Sequence, residues 1–458
     1  MKKNDLVEVT IEDVNIQGVG IGRIDNMVIF VSDSAIGEKL IVRIIKSNKN
    51  YLVGKIEEIV IPSKNRILPD CVHYKKCGGC VFRHLSYEEE LKIKSKHILD
   101  CLERIGKFKG IEIEPIVKAS EFNFYRNKSQ VPIRKNENGE IIAGFFANHS
   151  HRITDCSQCL LHCKYFNSII EDFKFWIKKY NISVYDEKSC QGIIRHLYLR
   201  YAEYNDEIMV CIVINGKSIP FKKELINLII SKHPKVKSII INSNLNKTNV
   251  ILGEKCYTIY GKSVITDEID NLKFEISPLS FYQVNKKQTE KLYRIVKKLL
   301  DLSGNEVVID MYCGIGTIGL TLANNSFKVI GVEVVEVAVN NAIRNAELNG
   351  INNAEFLCSD ASEMSKKFEN SKIFADFIIL DPPRKGCDKI MLENVLKMNP
   401  KKIVYVSCDP STLARDLNFL CRNSFEIKRV IPVDMFPRTA HVETVVLLAR
   451  KMLDNKEI

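Results

Sequence analysis

From about residue 305 onward, short apolar runs alternate with helical patterns, and this alternation restricts the fold more than any other feature. NEVVIDMY, FKVIGVEV, ADFIILD and KKIVYVS read as strands. GTIGLTLANN and EVAVNNAIRNAELNG read as helices, and ETVVLLAR adds a strand near the end. Strand, helix, strand at this spacing means βαβ units and a parallel sheet, whose ligands bind beyond the carboxyl ends of the strands. The expected class is α/β, with a Rossmann-like sheet over residues 276–458.

The rest of the chain reads differently. Residues 5–59 come in short alternating bursts broken by glycines: LVEVTI, IQGVGIGRI, MVIFV, KLIVRII and YLVGKIEEIV. Strands of this length with glycine turns predict a small OB-like β-barrel over 1–60. A mixed α+β segment, 61–275, follows. It opens with a cysteine cluster and a helical stretch, SYEEELKIKSKHILDCLERIG, in which Ser86 caps the start, Glu89 completes a capping box and Gly106 ends the helix. IRHLYLRYA and IMVCIVI are its clearest strands.

A chain of 458 residues needs more than one core, and 45% hydrophobic with 27% charged residues supplies them. No apolar run reaches the ~20 residues of a spanning helix. MKKNDLVEVTIEDVN has no apolar stretch behind its lysines, so no export signal is expected and the cytoplasm is the expected compartment. A formal charge of +11 favours a polyanionic partner. Fifteen cysteines in a reducing compartment point to metal ligation, catalysis or buried thiols rather than disulfides.

Asp310-Met311-Tyr312-Cys313-Gly314-Ile315-Gly316-Thr317 joins the first strand of the sheet to its first helix. Glycines there let backbone approach a ligand, and Glu333, ending the next strand, is placed to bind ribose hydroxyls. Gly314, Gly316 and Gly319 also satisfy the dinucleotide pattern, so NAD and S-adenosylmethionine both fit the loop. Leu380-Asp381-Pro382-Pro383-Arg384 closes a third strand with a carboxylate on stiff backbone that lacks two amide donors. That ending, with Asp310 at the first strand's tip, favours methyl transfer over hydride transfer.

Val406-Ser407-Cys408-Asp409-Pro410 runs from a strand into a turn, with Ser411 expected to cap the helix behind it. A thiol at a helix amino terminus is expected to be pushed toward thiolate. Such a thiolate can add to carbon 6 of uracil and turn carbon 5 into a nucleophile. A base must then remove the carbon-5 proton. Glu443, in Pro437-Arg438-Thr439-Ala440-His441-Val442-Glu443-Thr444, is the candidate and His441 its rival; a positioned base contributes ~10²–10⁴-fold.

Cys71, Cys77 and Cys80 form C-x5-C-G-G-C, and Cys156, Cys159 and Cys163 follow in D-C-S-Q-C-L-L-H-C. Spacing alone allows a zinc ribbon from Cys77, Cys80, Cys156 and Cys159, or an iron–sulfur cluster using the same ligand type.

Taken in order, CGIG, Asp-Pro-Pro-Arg, Ser-Cys-Asp-Pro and His-Val-Glu-Thr resemble the RNA uracil-5 methyltransferases. Ser280-Phe281-Tyr282-Gln283-Val284-Asn285 adds the similar F-x-Q-x-N stretch of that family. The resemblance implies that Gln283, Tyr312, Glu333 and Asp381 contact S-adenosylmethionine, that Cys408 is the nucleophile and that Glu443 is the base. Thr317 stands where some relatives carry Asn, and no contact is carried onto it. The ribosomal-RNA branch is similar in its cysteine arm, which implies a 4Fe-4S iron–sulfur cluster on Cys71, Cys77, Cys80 and Cys159, the last followed by Leu160-Leu161. The barrel resembles a TRAM domain in length and in its glycine run from Gly18 to Arg23. Ribosomal RNA, 23S in particular, is then the expected partner, bound by a monomer without membrane attachment. The competing readings are an NAD-dependent oxidoreductase and a zinc-bearing, non-catalytic RNA-binding protein.

Overall fold

The structure, a computed structural model, describes residues 1–148, 150–360 and 374–451. Five strands, β1 (Leu6–Val14), β2 (Val19–Ile24), β3 (Met27–Ser32), β4 (Lys39–Ser47) and β5 (Tyr51–Ile61), close into a barrel in the order β1-β2-β3-β5-β4. Alternation explains the closure. Val9, Ile11, Ile29, Val31, Leu40, Val42, Ile44 and Leu52 point inward and are buried, while the residues between them face out. The barrel does not stand apart: Phe82, Leu85 and Ile93 complete its core. At Gly18 (φ +71°) an added Cβ would lie 2.7 Å from the Val81 carbonyl oxygen, so only glycine lets the barrel approach the cysteine arm this closely.

Helix α1 (Tyr87–Arg104) begins where expected, with the Ser86 hydroxyl accepting from the Glu89 backbone N–H at 3.3 Å. The capping box is only half made. Ser86 donates its own N–H to the Asn65 carbonyl, and the Glu89 carboxylate accepts from Asn65 Nδ2 instead. The packing chain segment outcompetes the local partner. The inner face of α1, Ile98, Cys101 and Leu102, packs with the C-terminal sheet rather than with the middle of the chain.

Strands β6 (Lys128–Lys135), β7 (Ile141–Phe146), β8 (Ile153–Asp155), β9 (Ile194–Ala202), β10 (Glu207–Ile214), β11 (Val236–Ser243) and β12 (Lys255–Gly261) form a central sheet ordered β12-β11-β10-β9-β6-β7-β8. Helices α2 (Phe166–Lys179) and α3 (Lys222–Lys232) cover one face. On the other, Tyr198, Met209, Cys211 and Ile240 meet Phe274, Tyr282 and Leu292. Burial on both faces is why β10 reads as a nearly continuous apolar run.

A two-stranded hairpin, β13 (Ile265–Ile269) with β14 (Leu272–Ile276), and helix α4 (Lys286–Leu300) lead into the last sheet. Its strands are β15 (Val307–Met311), β16 (Lys328–Glu333), β17 (Ala354–Cys358), β18 (Phe377–Leu380), β19 (Lys402–Ser407), β20 (Phe425–Val433) and β21 (Glu443–Arg450). They lie in the order β17-β16-β15-β18-β19-β21-β20, parallel through β19 and antiparallel for the β19–β21 and β21–β20 pairs. The connecting helices are α5 (Thr317–Ala323), α6 (Glu336–Leu348), α7 (Lys389–Met398) and α8 (Pro410–Asn423). The α/β expectation and the N-terminal barrel both hold. Among the described residues no helix is long and apolar enough to cross a membrane.

Candidate active site

Register brings the site together. Met311 sits beside both Val332 and Leu380, so the next residue of each strand, Tyr312, Glu333 and Asp381, leaves the sheet at one edge. Ser407 of β19 pairs with Thr444 of β21, which carries Cys408 and Glu443 to that same edge. Strand order reverses between β15 and β18, and a crevice opens at such a switch point. A cavity of about 690 Å³ fills it. Gln283, Tyr312, Glu333, Asp381, Cys408 and Glu443 all line this cavity. The six sequence candidates for cofactor contact and chemistry, scattered over some 160 positions of the chain, share one chamber.

The loop after β15 is held by its acids. Gly319 N–H donates to Asp310 Oδ2 at 2.8 Å, and Gly314 N–H donates to Glu333 Oε2 at 3.2 Å. The other Glu333 oxygen accepts from Val334 and Val335 N–H at 2.9 and 3.0 Å. Tyr312, Gly314 and Gly316 all take positive φ, so the chain turns sharply away from the sheet and leaves the space above it open. Thr317, given no cofactor role, shares a 2.7 Å hydrogen bond with the Tyr293 hydroxyl.

Burial dominates the electrostatics. It raises Asp381 to about 7 and Glu443 to about 8, the latter helped by the neighbouring charge of Asp381. Cys408 is pushed up to about 12, first by burial and then by the charge of Glu443, against the opposing effect of Arg384. The expectation of a thiolate at a helix start is therefore corrected: desolvation and the charges of Glu443, Asp381 and Asp409 favour the thiol in the free protein. The cap is corrected as well. Asp409, not Ser411, caps α8, accepting from Ser411 N–H at 2.9 Å and Thr412 N–H at 3.1 Å, with Pro410 at the first helical position.

His441 stands as a neutral acceptor. Burial and Arg384 lower it to about 4, and Arg384 Nη2 lies 3.0 Å from its Nε2. Arg384 thereby lines the cavity in a fixed place beside Cys408 and Glu443. Sequence reasoning quoted Arg384 within Asp-Pro-Pro-Arg but gave it no role. Phe281, 63% exposed, and Phe436 also line the cavity. Phe281 belongs to the F-x-Q-x-N stretch, and its exposure as an apolar ring is the signal that only coordinates reveal.

The cysteines form a second site. Cys71, Cys77, Cys80, Cys156 and Cys159 line one cavity of about 240 Å³. The arm carrying the first three is tied to the β7–β8 hairpin by Gly78 N–H to the Phe146 carbonyl at 3.0 Å and Thr154 Oγ1 to the Lys76 carbonyl at 2.8 Å. Arg83 Nε donates to Cys80 Sγ at 3.3 Å, while buried Arg83 Nη2 has no protein partner. Cys163, four residues beyond Cys159, lines a different cavity with Lys164 and Tyr165. Among the described residues no group of three or more His, Cys, Asp or Glu side chains is arranged to hold a single metal ion.

Comparison with known proteins agrees with this geometry. The model of the tRNA (Uracil-5-)-methyltransferase family matches residues 86–451, and that of the TRAM domain matches residues 2–56. An uncharacterized RNA methyltransferase of Clostridium acetobutylicum is 45% identical, over 98% of each chain. One of Staphylococcus aureus is 42% identical over 98% of this chain and 99% of its own. The crystal structure of Pyrococcus abyssi tRNA (uracil-54, C5)-methyltransferase in complex with S-adenosyl-L-homocysteine superposes with a TM-score of 0.78 at 31% identity, covering 96% of this chain and 99% of that one. A sheet whose strand tips gather three carboxylates and a thiol, preceded by a TRAM barrel and matched along nearly its whole length, places this chain in the S-adenosylmethionine-dependent RNA uracil-5 methyltransferase family.

Proposed function

We propose that this protein methylates carbon 5 of a uridine in folded RNA, with Cys408 as nucleophile and Glu443 as base. One observation carries the reading: Cys408, Glu443, Asp381 and Glu333 line the same cavity. S-adenosylmethionine, when bound, supplies the methyl group. Glu333 is positioned for its ribose hydroxyls, and Gln283, Tyr312 and Asp381 for the remainder. The uridine flips out of the RNA at a cost of a few kcal/mol and enters past Phe281. Cys408 gives its thiol proton to water as its sulfur bonds to carbon 6, and the ring electrons move to oxygen 4 as an enolate. Carbon 5 accepts the methyl group with S-adenosylhomocysteine as the leaving group, the Glu443 carboxylate removes the carbon-5 proton, and Cys408 leaves as the double bond returns. Glu443→Gln, incubated with substrate RNA and S-adenosylmethionine, should accumulate a protein–RNA adduct that withstands denaturing electrophoresis. No adduct, together with methylation by Cys408→Ala, sinks the covalent route.

Ribosomal RNA, 23S in particular, is the proposed substrate, and the support is the cysteine arm. The barrel does not discriminate. A structure named for tRNA uracil-54 covers 96% of this chain, more than could be matched without the barrel. Mapping 5-methyluridine in ribosomal and transfer RNA, from cytoplasm of cells with and without the gene, decides the target. Loss confined to tRNA overturns the ribosomal reading and leaves the chemistry standing.

An iron–sulfur cluster held by Cys71, Cys77, Cys80 and Cys159 completes the proposal. The residues fit such a group: these thiols line one cavity, and the glycines between Cys77 and Cys80 free the backbone around them. When bound, the cluster would cross-link the arm at 71–80 to the turn after β8.

A further inference from the structure

The cysteine cavity contains one thiol more than a four-ligand cluster uses. Cys156 and Cys159 sit on the same turn, directly after β8, and both line the cavity. Cys156 is 3% exposed and lines the cavity beside Cys159, three residues away in the chain. The turn is anchored on both sides. Cys156 N–H donates to the Ala143 carbonyl at 2.9 Å, and Cys159 N–H donates to Asn167 Oδ1 at 3.1 Å. Asn167 is fixed in turn by His162, whose Nε2 lies 2.6 Å from Asn167 Oδ1, while the His162 Nδ1 is 3.1 Å from the Ser129 hydroxyl. Cys163, the other extra thiol of the segment, is directed into a separate cavity and is no competitor.

We propose that Cys156 is a reserve ligand, able to take the place of Cys159 on the iron–sulfur cluster. The inference rests on the cluster reading given above. The exchange balances without an outside reagent. The iron–sulfur bond to Cys159 would break and one to Cys156 would form, the Cys156 thiol releasing its proton to water as the freed Cys159 thiolate takes one up. Charge on the site is unchanged. Because both cysteines lie on one anchored turn and line one cavity, the swap needs a rotation of side chains rather than a rearrangement of the arm. A cluster on this site then survives damage to one of its ligands, a property that four thiols alone do not give.

Iron and acid-labile sulfide are to be measured after anaerobic reconstitution of the full-length wild type, Cys159→Ser, Cys156→Ser, Cys163→Ser and the double variant Cys156→Ser/Cys159→Ser. Each single variant should keep most of the wild-type iron and its visible absorption. The double variant, left with the three thiols of the arm, should lose most of its iron and its visible absorption. Cys159→Ser that folds but loses as much iron as the double variant overturns the reserve role. Wild type that takes up no iron overturns the cluster reading and this inference with it. Should Cys159→Ser fail to fold, Cys156→Ser, which keeps four ligands, decides the matter by its bleaching in air. Bleaching several-fold faster than wild type supports the reserve ligand, and superimposable decays refute it.

Discussion

The Val81 N–H donates to the Arg438 carbonyl at 2.9 Å, and this bond joins the cysteine arm to the loop that delivers Glu443. Arg438 has φ +67°, a conformation disfavoured outside glycine, so its surroundings must hold it there. They do so from several sides. Its N–H donates to Glu90 Oε1 at 2.6 Å, its guanidinium reaches the Leu85 carbonyl at 3.1 Å, and Tyr125 holds the preceding Pro437 carbonyl at 3.0 Å. Fully buried Lys94 then bridges Glu90 and Asp434, each at 2.7 Å. The approach to the base is thus clamped between α1 and the arm.

That clamp predicts the effect of Lys94→Met. Two buried carboxylates lose a shared cation, and breaking such a pair costs about 3–5 kcal/mol. The thermal midpoint should fall by several degrees. Adding Asp434→Asn should restore most of it, because Glu90 keeps the buried Arg438 guanidinium as its partner and no uncompensated charge is left; a double variant no better than the single one contradicts the account.

Cofactor affinity should follow Glu333. Its carboxylate organises three backbone N–H groups and faces the cavity, so Glu333→Ala removes charge-assisted hydrogen bonds worth about 1.5–3 kcal/mol, or roughly ten- to a hundred-fold in affinity. Calorimetric titration with S-adenosylhomocysteine reads this directly. NAD should give no heat with wild type, and NAD binding in this cavity would revive the oxidoreductase reading.

Alkylation of Cys408 reports its ionisation. With the thiol pushed up to about 12, iodoacetamide labelling of the free protein should climb steadily from pH 7 to 9 with no plateau, about tenfold per pH unit. Arg384→Gln should slow it further, since that guanidinium favours the thiolate. A plateau below pH 8, measured by peptide mass spectrometry, contradicts the desolvated thiol.

Stability should also depend on the buried acids. Asp310 and Glu443 stand at about 8 and Asp381 at about 7, all above their unfolded values near 4. Folding therefore favours their protonated forms. Their contribution is fully present below pH 4 and is lost as pH rises through 7 to 8. Glu443→Gln, neutral at every pH, should gain in melting temperature over wild type progressively from pH 5 to 9. A constant offset would mean that Glu443 ionises normally.

Residue order by itself determined the sheet, the barrel and the identity of the candidate residues. Alternation with period two, glycine at the first strand's exit and proline after Asp381 are local properties that any surrounding structure must accommodate. The same locality explains the failures. Asp409 outcompetes Ser411 as cap because it directly precedes Pro410, Asn65 takes the Glu89 carboxylate from a preceding segment, and Cys408 is held as a thiol first by burial and then by Glu443, whose nearness appears only when β19 pairs with β21. Sequence spacing paired Cys156 with Cys159 but kept Cys163 as a further candidate beside them. Only the turn after β8 directs the first two into the cavity with Cys71, Cys77 and Cys80 and sends the third elsewhere. Which side chains meet, and in what dielectric, is a property of packing between distant segments, and it is packing that sets both the desolvation at Cys408 and the company of each thiol.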